Sequence, residues 1–89
     1  DAMESRKLQV YPNPAIGEAF VTIPQFEEGQ QAVLVMYNSV GQEVLRRRVD
    51  TGISRNEVVQ LEKLDPGVYV VRLKVPGQQD LSQRLVVGR

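Results

Sequence analysis

Any chemistry performed by this 89-residue chain must come from carboxylates, lysines, arginines and hydroxyls, because the sequence contains no histidine and no cysteine. Without histidine there is no imidazole general base, no Ser-His-Asp triad and no histidine-ligated metal. Without cysteine there is no thiol nucleophile, zinc–thiolate site or disulfide. No acidic pair has the pattern of a hydrolytic cleft, and no phosphate-binding glycine loop occurs. We therefore predict that this domain is not an enzyme, although a longer parent protein could be one.

Three acidic residues are the candidates for a metal site, since Ca²⁺ prefers carboxylate and carbonyl oxygens. Glu27 and Glu28 lie in a polar segment, and Glu18 begins a strand-like segment. The spacing of a D-x-D-x-D-G calcium loop is absent. A solvated loop is the favoured interpretation, and we predict no cofactor.

Arg46, Arg47 and Arg48 form a run of like charge. Strand side chains alternate between faces, so the first and third would point one way and the second the other. Charges on an edge strand commonly prevent edge-to-edge pairing, which is the favoured interpretation, with an anionic partner such as a glycolipid phosphate as the alternative. Lysine plus arginine equals aspartate plus glutamate, at 11 each. The chain thus lacks the overall basic field of a nucleic-acid-binding protein, and we predict no nucleic-acid partner.

The elements that would position these side chains are strands. Seven short segments are rich in β-branched or alternating apolar residues. Turn residues separate these segments at intervals of roughly 8–12 residues. No apolar run reaches the roughly 18 residues that a membrane helix needs. The sequence therefore predicts an all-β, immunoglobulin-like antiparallel sandwich with strands over residues 8–11, 18–23, 31–38, 43–50, 56–61, 68–75 and 80–87.

Several residues have specific predicted places in this sandwich. The strand over 31–38 is apolar on both faces, which favours a central strand covered on both sides. Residues 25–30 read as a polar loop. Gly41 should supply the positive φ of a turn over 39–42, and Gly67 should adopt the left-handed αL conformation in a turn over 64–67. Tyr69 should be a core residue whose hydroxyl finds a partner, as in the tyrosine corner of β-sandwiches.

Four motifs in order resemble the type A C-terminal sorting domain of the type IX (Por) secretion system of Bacteroidota. They are VYPNPAIGEAFVTI at 10–23, VMYNSVGQEVL at 35–45, LEKLDPGVYVVRLKV at 61–75 and SQRLVVGR at 82–89. Asn38 stands where the family usually has aspartate, and Gly88 departs from the lysine often found near the end. The matching positions are Tyr11, Pro12, Asn13, Pro14, Tyr37, Gly41, Val44, Leu64, Gly67, Tyr69 and Val71, with Arg84, Leu85, Val86 and Val87 in the terminal strand.

The resemblance implies a non-catalytic address domain that the outer-membrane translocon recognises. Export would run through the periplasm to the outer-membrane surface or the extracellular space. A sortase of the cysteine-peptidase type would commonly remove the domain and join the passenger to anionic lipopolysaccharide, although some members keep the domain. Residues 1–7 would be the linker with the cleavage region, and residues 8–89 the domain. The terminal strand would carry the main signal, through Arg84, Leu85, Val86, Val87 and Arg89.

A terminal strand can be read by adding to the edge of a partner's sheet, and this is the expected mode of recognition. Other functions stay open at this stage: a structural or adhesive sandwich module, a retained domain of the type IX machinery, or a calcium-dependent accessory domain. A sorting domain must finish the polypeptide, whereas an adhesive module would often lie mid-chain. An initial Asp1 without a methionine suggests a fragment of a longer protein.

Overall fold

The computed structural model describes residues 7–26, 31–52 and 55–88. These residues form seven strands and no helix, which confirms the all-β prediction. In particular, they include no helix with the length and apolar character needed to cross a membrane. The strands are β1 (Gln9–Tyr11), β2 (Glu18–Ile23), β3 (Gln31–Tyr37), β4 (Glu43–Asp50), β5 (Arg55–Gln60), β6 (Gly67–Lys74) and β7 (Leu81–Val87). Each predicted strand is present, with its ends within one residue of the prediction.

The strands pair into two antiparallel sheets, ordered β1-β2-β5 and β4-β3-β6-β7. Apolar residues alternate along each strand, so one face of each sheet is apolar and the two faces bury each other. The result is the predicted immunoglobulin-like sandwich. The buried residues of this core include Val21, Ile23, Ala32, Leu34, Met36, Val49, Val59, Leu61, Tyr69, Val71, Leu73, Leu85 and Val87.

Strand β3 is interior in its sheet, as predicted, but its coverage differs between the two faces. Leu34 and Met36 point into the core, and Val35 is fully buried on the opposite face. Val33 and Tyr37, which share that opposite face, are half-buried. Two-sided coverage is therefore confirmed only for the middle of the strand, where long side chains of neighbouring strands lie beside Val35.

The predicted polar loop over 25–30 is wrong at its start, because Phe26 belongs to the core and is 4% exposed. The backbone N–H of Phe26 donates to the carbonyl of Thr51 at 2.9 Å, and Thr51 is fully buried. This hydrogen bond satisfies the buried N–H of Phe26 where the chain turns inward, so the aromatic ring can lie in the core.

The αL conformation predicted for Gly67 is also wrong. The N–H of Leu64 donates to the carbonyl of Leu61 at 3.0 Å, so the hydrogen-bonded turn closes over 61–64, upstream of the predicted position. Proline disfavours a helical backbone in the preceding residue, so Pro66 favours an extended conformation at Asp65. Gly67 then begins β6 with a φ of 155°, still positive but far from αL. Gly41, by contrast, has the predicted left-handed φ, at 87°.

Candidate recognition surface around the terminal strand

Strand β7 forms one edge of the four-stranded sheet and pairs with β6. The predicted signal residues divide between its two faces. Leu85 and Val87 point into the core and are 0% and 3% exposed. Arg84 is exposed and Val86 is half-buried, on the outer face. Arg89 lies outside the described residues, so two of the predicted residues hold the strand in place and two are presented to solvent.

The side chain of Asn13 takes the place of a neighbouring strand along this edge. Its Nδ2 donates to the carbonyl of Arg84 at 2.8 Å, and its Oδ1 accepts from the N–H of Val86 at 2.9 Å. A carboxamide holds a carbonyl acceptor and N–H donors in one plane, so it can bond to a strand as a backbone peptide group does. Asn13 therefore extends the hydrogen-bonded ladder of β7 from the loop between β1 and β2.

The same loop continues along the edge at Ala15. The N–H of Ala15 donates to the carbonyl of Val86 at 2.8 Å, and the N–H of Gly88 donates to the carbonyl of Ala15 at 2.7 Å. Ala15 and Val87 thus form a parallel bridge. Together, residues 13–15 occupy the outer edge of β7 from Arg84 to Gly88. A partner strand could add along this stretch only by displacing them.

The rest of the β7 edge is short. Val86 directs its N–H and carbonyl away from β6, and alternate residues of a strand repeat that orientation, so Ser82 does the same. Its backbone has no hydrogen-bonded partner on this side within the described part of the chain. A groove lined by Lys7, Leu8, Gln9, Leu81, Ser82 and Gln83 runs beside it. Strand addition without displacement is therefore limited to the first half of β7.

The residues that flank Asn13 shape this loop. Pro12 and Pro14 are exposed on either side of Asn13, and both preceding peptide bonds are cis. The exposed ring of Tyr11 stacks on Phe20, with 5.6 Å between ring centroids, on the outer face of the three-stranded sheet. Of residues 11–14, Asn13 therefore contacts β7, while Tyr11 packs on Phe20 at the end of β1.

Tyr69 stabilises β6, the strand that pairs with β7. Its side chain is buried, and its hydroxyl donates to the carbonyl of Asp65 at 2.6 Å, so the predicted tyrosine corner is confirmed. Val71 lies in the core beside it, and Leu64 is half-buried against the core. These contacts fix the start of β6 relative to the preceding turn.

The turn between β3 and β4 is organised by Asn38. Its Oδ1 accepts from the N–H groups of Val40 and Gln42 at 3.1 and 2.9 Å. Aspartate would offer the same acceptor, which explains why asparagine can replace the residue usual in the family. Val44, after the turn, is half-buried against the core and is the residue skipped where the β3–β4 register shifts between the Met36–Leu45 and Tyr37–Glu43 pairs. Tyr37 lies on the outer face of β3.

The arginine run alternates between faces on edge strand β4, as predicted. Arg47 Nη1 contacts Glu57 Oε1 at 3.2 Å and the carbonyl of Val58 at 2.9 Å, so it bridges the two sheets. Sequence reasoning missed this bridge, although the position of Arg47 between Leu45 and Val49 was a signal of an inward direction. Arg46 instead pairs with Glu43 on the outer face; this hydrogen bond lowers the pKa of Glu43 and raises that of Arg46.

The described residues do not form the calcium site that the sequence left as an alternative. Glu27 and Glu28 lie outside the described residues, and Glu18 is exposed at the start of β2. Within residues 7–26, 31–52 and 55–88, no three acidic side chains lie close enough together to hold a metal ion.

The family model described as "Secretion system C-terminal sorting domain" matches residues 9–88 of the chain. The chain belongs to this family. The sorting domain is also similar to beta-agarase A of Zobellia galactanivorans, with 39% identity over 78 residues. That alignment covers 88% of this chain and 13% of the agarase, so the chain spans about an eighth of that relative's length.

Membership confirms the resemblance read from the four motifs. The sorting domain is a non-catalytic C-terminal signal of type IX secretion, and it marks proteins for export to the cell surface or the extracellular space. Such a signal must interact with the secretion machinery.

Proposed function

We propose that the type IX outer-membrane translocon reads the sorting domain through the outward side chains of the terminal strand, Arg84 and Val86, and through Arg89, which follows the strand in the sequence. The occupied edge of β7 supports this mode. Since residues 13–15 already bond the backbone of the strand, a partner gains specificity from side chains without breaking the ladder. Leu85 and Val87 contribute indirectly, because their burial fixes which residues face outward.

The domain comprises residues 8–89, and residues 1–7 link it to the passenger. The burial of Leu8 supports this boundary, because a cut upstream of Leu8 would leave the core intact. A sortase of the cysteine-peptidase type would cut within the linker and join the passenger to anionic lipopolysaccharide. The alignment with 13% of a longer enzyme supports a sorting domain that forms a small part of an exported parent protein.

Shortening a fluorescent fusion from either end tests this proposal. Residues 1–89 are appended to a fluorescent passenger with its own signal peptide in a type IX-competent bacterium. Removing residues 88–89 should leave the passenger in the periplasm, whereas removing residues 1–7 should preserve translocation and abolish cleavage. Equal export of the two shortened fusions, both with a folded domain, together with normal export of the Arg84 variant described next, would contradict recognition at the terminal strand.

A side-chain test separates recognition from folding. Arg84→Ala removes an exposed side chain of β7, and Gln60→Ala removes an exposed side chain of β5 in the other sheet. Both variants should melt like the parent domain, because neither side chain is buried. The proposal expects reduced export of the first and normal export of the second. Normal export of both would remove Arg84 from the signal and favour an adhesive or spacing module if the shortened fusions were exported too.

A further inference from the structure

Cations are concentrated on the outward face of the four-stranded sheet. Strand alternation and the pairing register place five of them on this face, which we call the basic face. Two carboxylates, Glu43 and Asp50, share it near β4. The five cations are Arg46 and Arg48 on β4, Arg72 and Lys74 on β6, and Arg84 on β7.

Most of this positive charge has no ionic partner. Glu43 neutralises Arg46 through two hydrogen bonds of 3.0 and 3.1 Å. The other four cations of the face form no ion pair within the described part of the chain. Arg72 donates to the hydroxyl of Ser82 at 3.1 Å, which orients its guanidinium without neutralising it.

The opposite sheet has a different surface. Among the described side chains on the outward face of β1, β2 and β5, the one charged residue is Glu18. Since the net charge of the chain is zero, the charges are segregated by position. Like charges on neighbouring strands repel each other, so folding alone does not favour such an arrangement.

The spacing of the cations indicates the shape of the partner. Neighbouring strands lie about 4.8 Å apart, so β4 and β6, on either side of β3, present cations about 10 Å apart. Outward residues on one strand follow each other at about 7 Å. Five cations spread over three strands match several anionic groups distributed over a surface, such as the carboxylates of an acidic protein. Arg forks suit such carboxylates, as the Arg46–Glu43 pair illustrates.

The apolar residues between the cations favour a protein over a lipid surface. Tyr37 is half-buried. The Cζ of Arg72 and the Nζ of Lys74 lie 5.8 and 5.9 Å from the centroid of its ring. Tyrosine and arginine are enriched in protein interfaces. Insertion into a membrane interface instead requires projecting Trp, Phe or Leu side chains. On the described part of this face, the exposed large apolar residue is Val68, at its margin.

We propose that the basic face docks on an acidic protein surface of the export machinery. This inference rests on the proposed function and extends it. Arg84 belongs to both surfaces, so recognition of the terminal strand would bring the basic face against the same partner. The long-range attraction would orient the domain before the terminal strand is engaged.

Charge reversal away from the terminal strand tests the basic face. The fluorescent fusion carries Arg48→Glu with Lys74→Glu, on β4 and β6. The control carries Lys7→Glu with Lys63→Glu, which changes net charge equally at exposed positions off the face. Thermal unfolding midpoints within about 4 °C of the parent would establish that each variant is folded. We expect export to fall at least about tenfold in the face variant and to stay normal in the control.

Each other result has a defined meaning. Normal export of the face variant, while removal of residues 88–89 stops export, would overturn the basic face and leave the proposed function standing. Normal export of the face variant, of the fusion without residues 88–89 and of the Arg84→Ala fusion would overturn both the basic face and the proposed function. The membrane alternative is measured with phosphatidylglycerol–phosphatidylethanolamine vesicles in about 0.15 M salt. If the parent domain co-sediments with the vesicles and the face variant does not, the partner of the basic face is a lipid surface and the proposed protein partner is wrong.

Discussion

The side-chain amide of Asn13 is bonded to the backbone of Val86, 73 positions later in the chain, at 2.9 Å. With the bond from Asn13 to Arg84, it connects the loop after β1 to the terminal strand. The last strand of the domain is thereby held by the loop that follows its first strand. The shape of the terminal strand depends on a residue far away in sequence, which has consequences for stability and for export.

Replacing Asn13 with alanine should destabilise the domain by about 1–2 kcal/mol, because two hydrogen bonds to β7 are lost. Urea unfolding measures the change. Gln79→Ala is the control, since this exposed amide in the turn before β7 has no hydrogen bond within the described residues, and its loss should be neutral. Equal stability of the two variants would show that Asn13 does not hold the strand.

Tyr69→Phe should lower the free energy of unfolding by about 1 kcal/mol, since it deletes the hydroxyl bonded to Asp65 and keeps the buried ring. In a domain of this size that is a decrease of about 4–8 °C in the thermal midpoint. Tyr11→Phe, which removes an exposed hydroxyl, should melt like the parent. The tyrosine corner would be refuted as a stabilising contact if both variants melted alike.

Gly67→Val should destabilise by about 1–3 kcal/mol, because a β-branched residue resists the positive φ at the start of β6. The cause is the backbone alone: a Cβ at Gly67 would meet no heavy atom within 4 Å. Gly88→Ala is the control, with no left-handed φ and ordinary contact to Ile16. Calorimetry should show a lower midpoint for the first variant; an unchanged midpoint would contradict the backbone geometry of Gly67.

Arg47→Ala should destabilise by about 1–2 kcal/mol, since it removes the bonds that bridge β4 to Glu57 and Val58 of the other sheet. Arg46→Ala is the matched variant one residue away, and its exposed pair with Glu43 should contribute no measurable stability. Chemical unfolding of both variants compares them directly. A larger loss for Arg46→Ala would be incompatible with the inward direction of Arg47.

Local sequence patterns were sufficient to predict the strands, since alternation and turn residues act over a few positions. Tyr69 was predictable for the same reason, because its partner Asp65 lies in the adjoining turn. Phe26 was missed, because one aromatic residue among polar neighbours gives no periodic signal. The αL prediction for Gly67 failed, because the closing point of the turn depended on Leu61 and Leu64 rather than on the proline–glycine pair.

The proposed recognition surfaces could be found only with information about the whole fold. The motif resemblance singled out Asn13, but its amide finds Arg84 and Val86 only once the loop crosses to the opposite sheet. The basic face likewise depends on strand order: β4 and β6 both flank β3, which brings Arg48 and Lys74 onto one surface. Such contacts between distant segments leave no short-range pattern in the sequence.

The most direct test of the central claim is export of one fluorescent fusion in two otherwise identical hosts. Residues 1–89 follow a passenger with its own signal peptide, and the hosts differ only in whether their type IX system functions. The account predicts fluorescence at the cell surface or in the medium of the competent host and in the periplasm of the other. The same distribution in both hosts, with a folded domain, would contradict a sorting function.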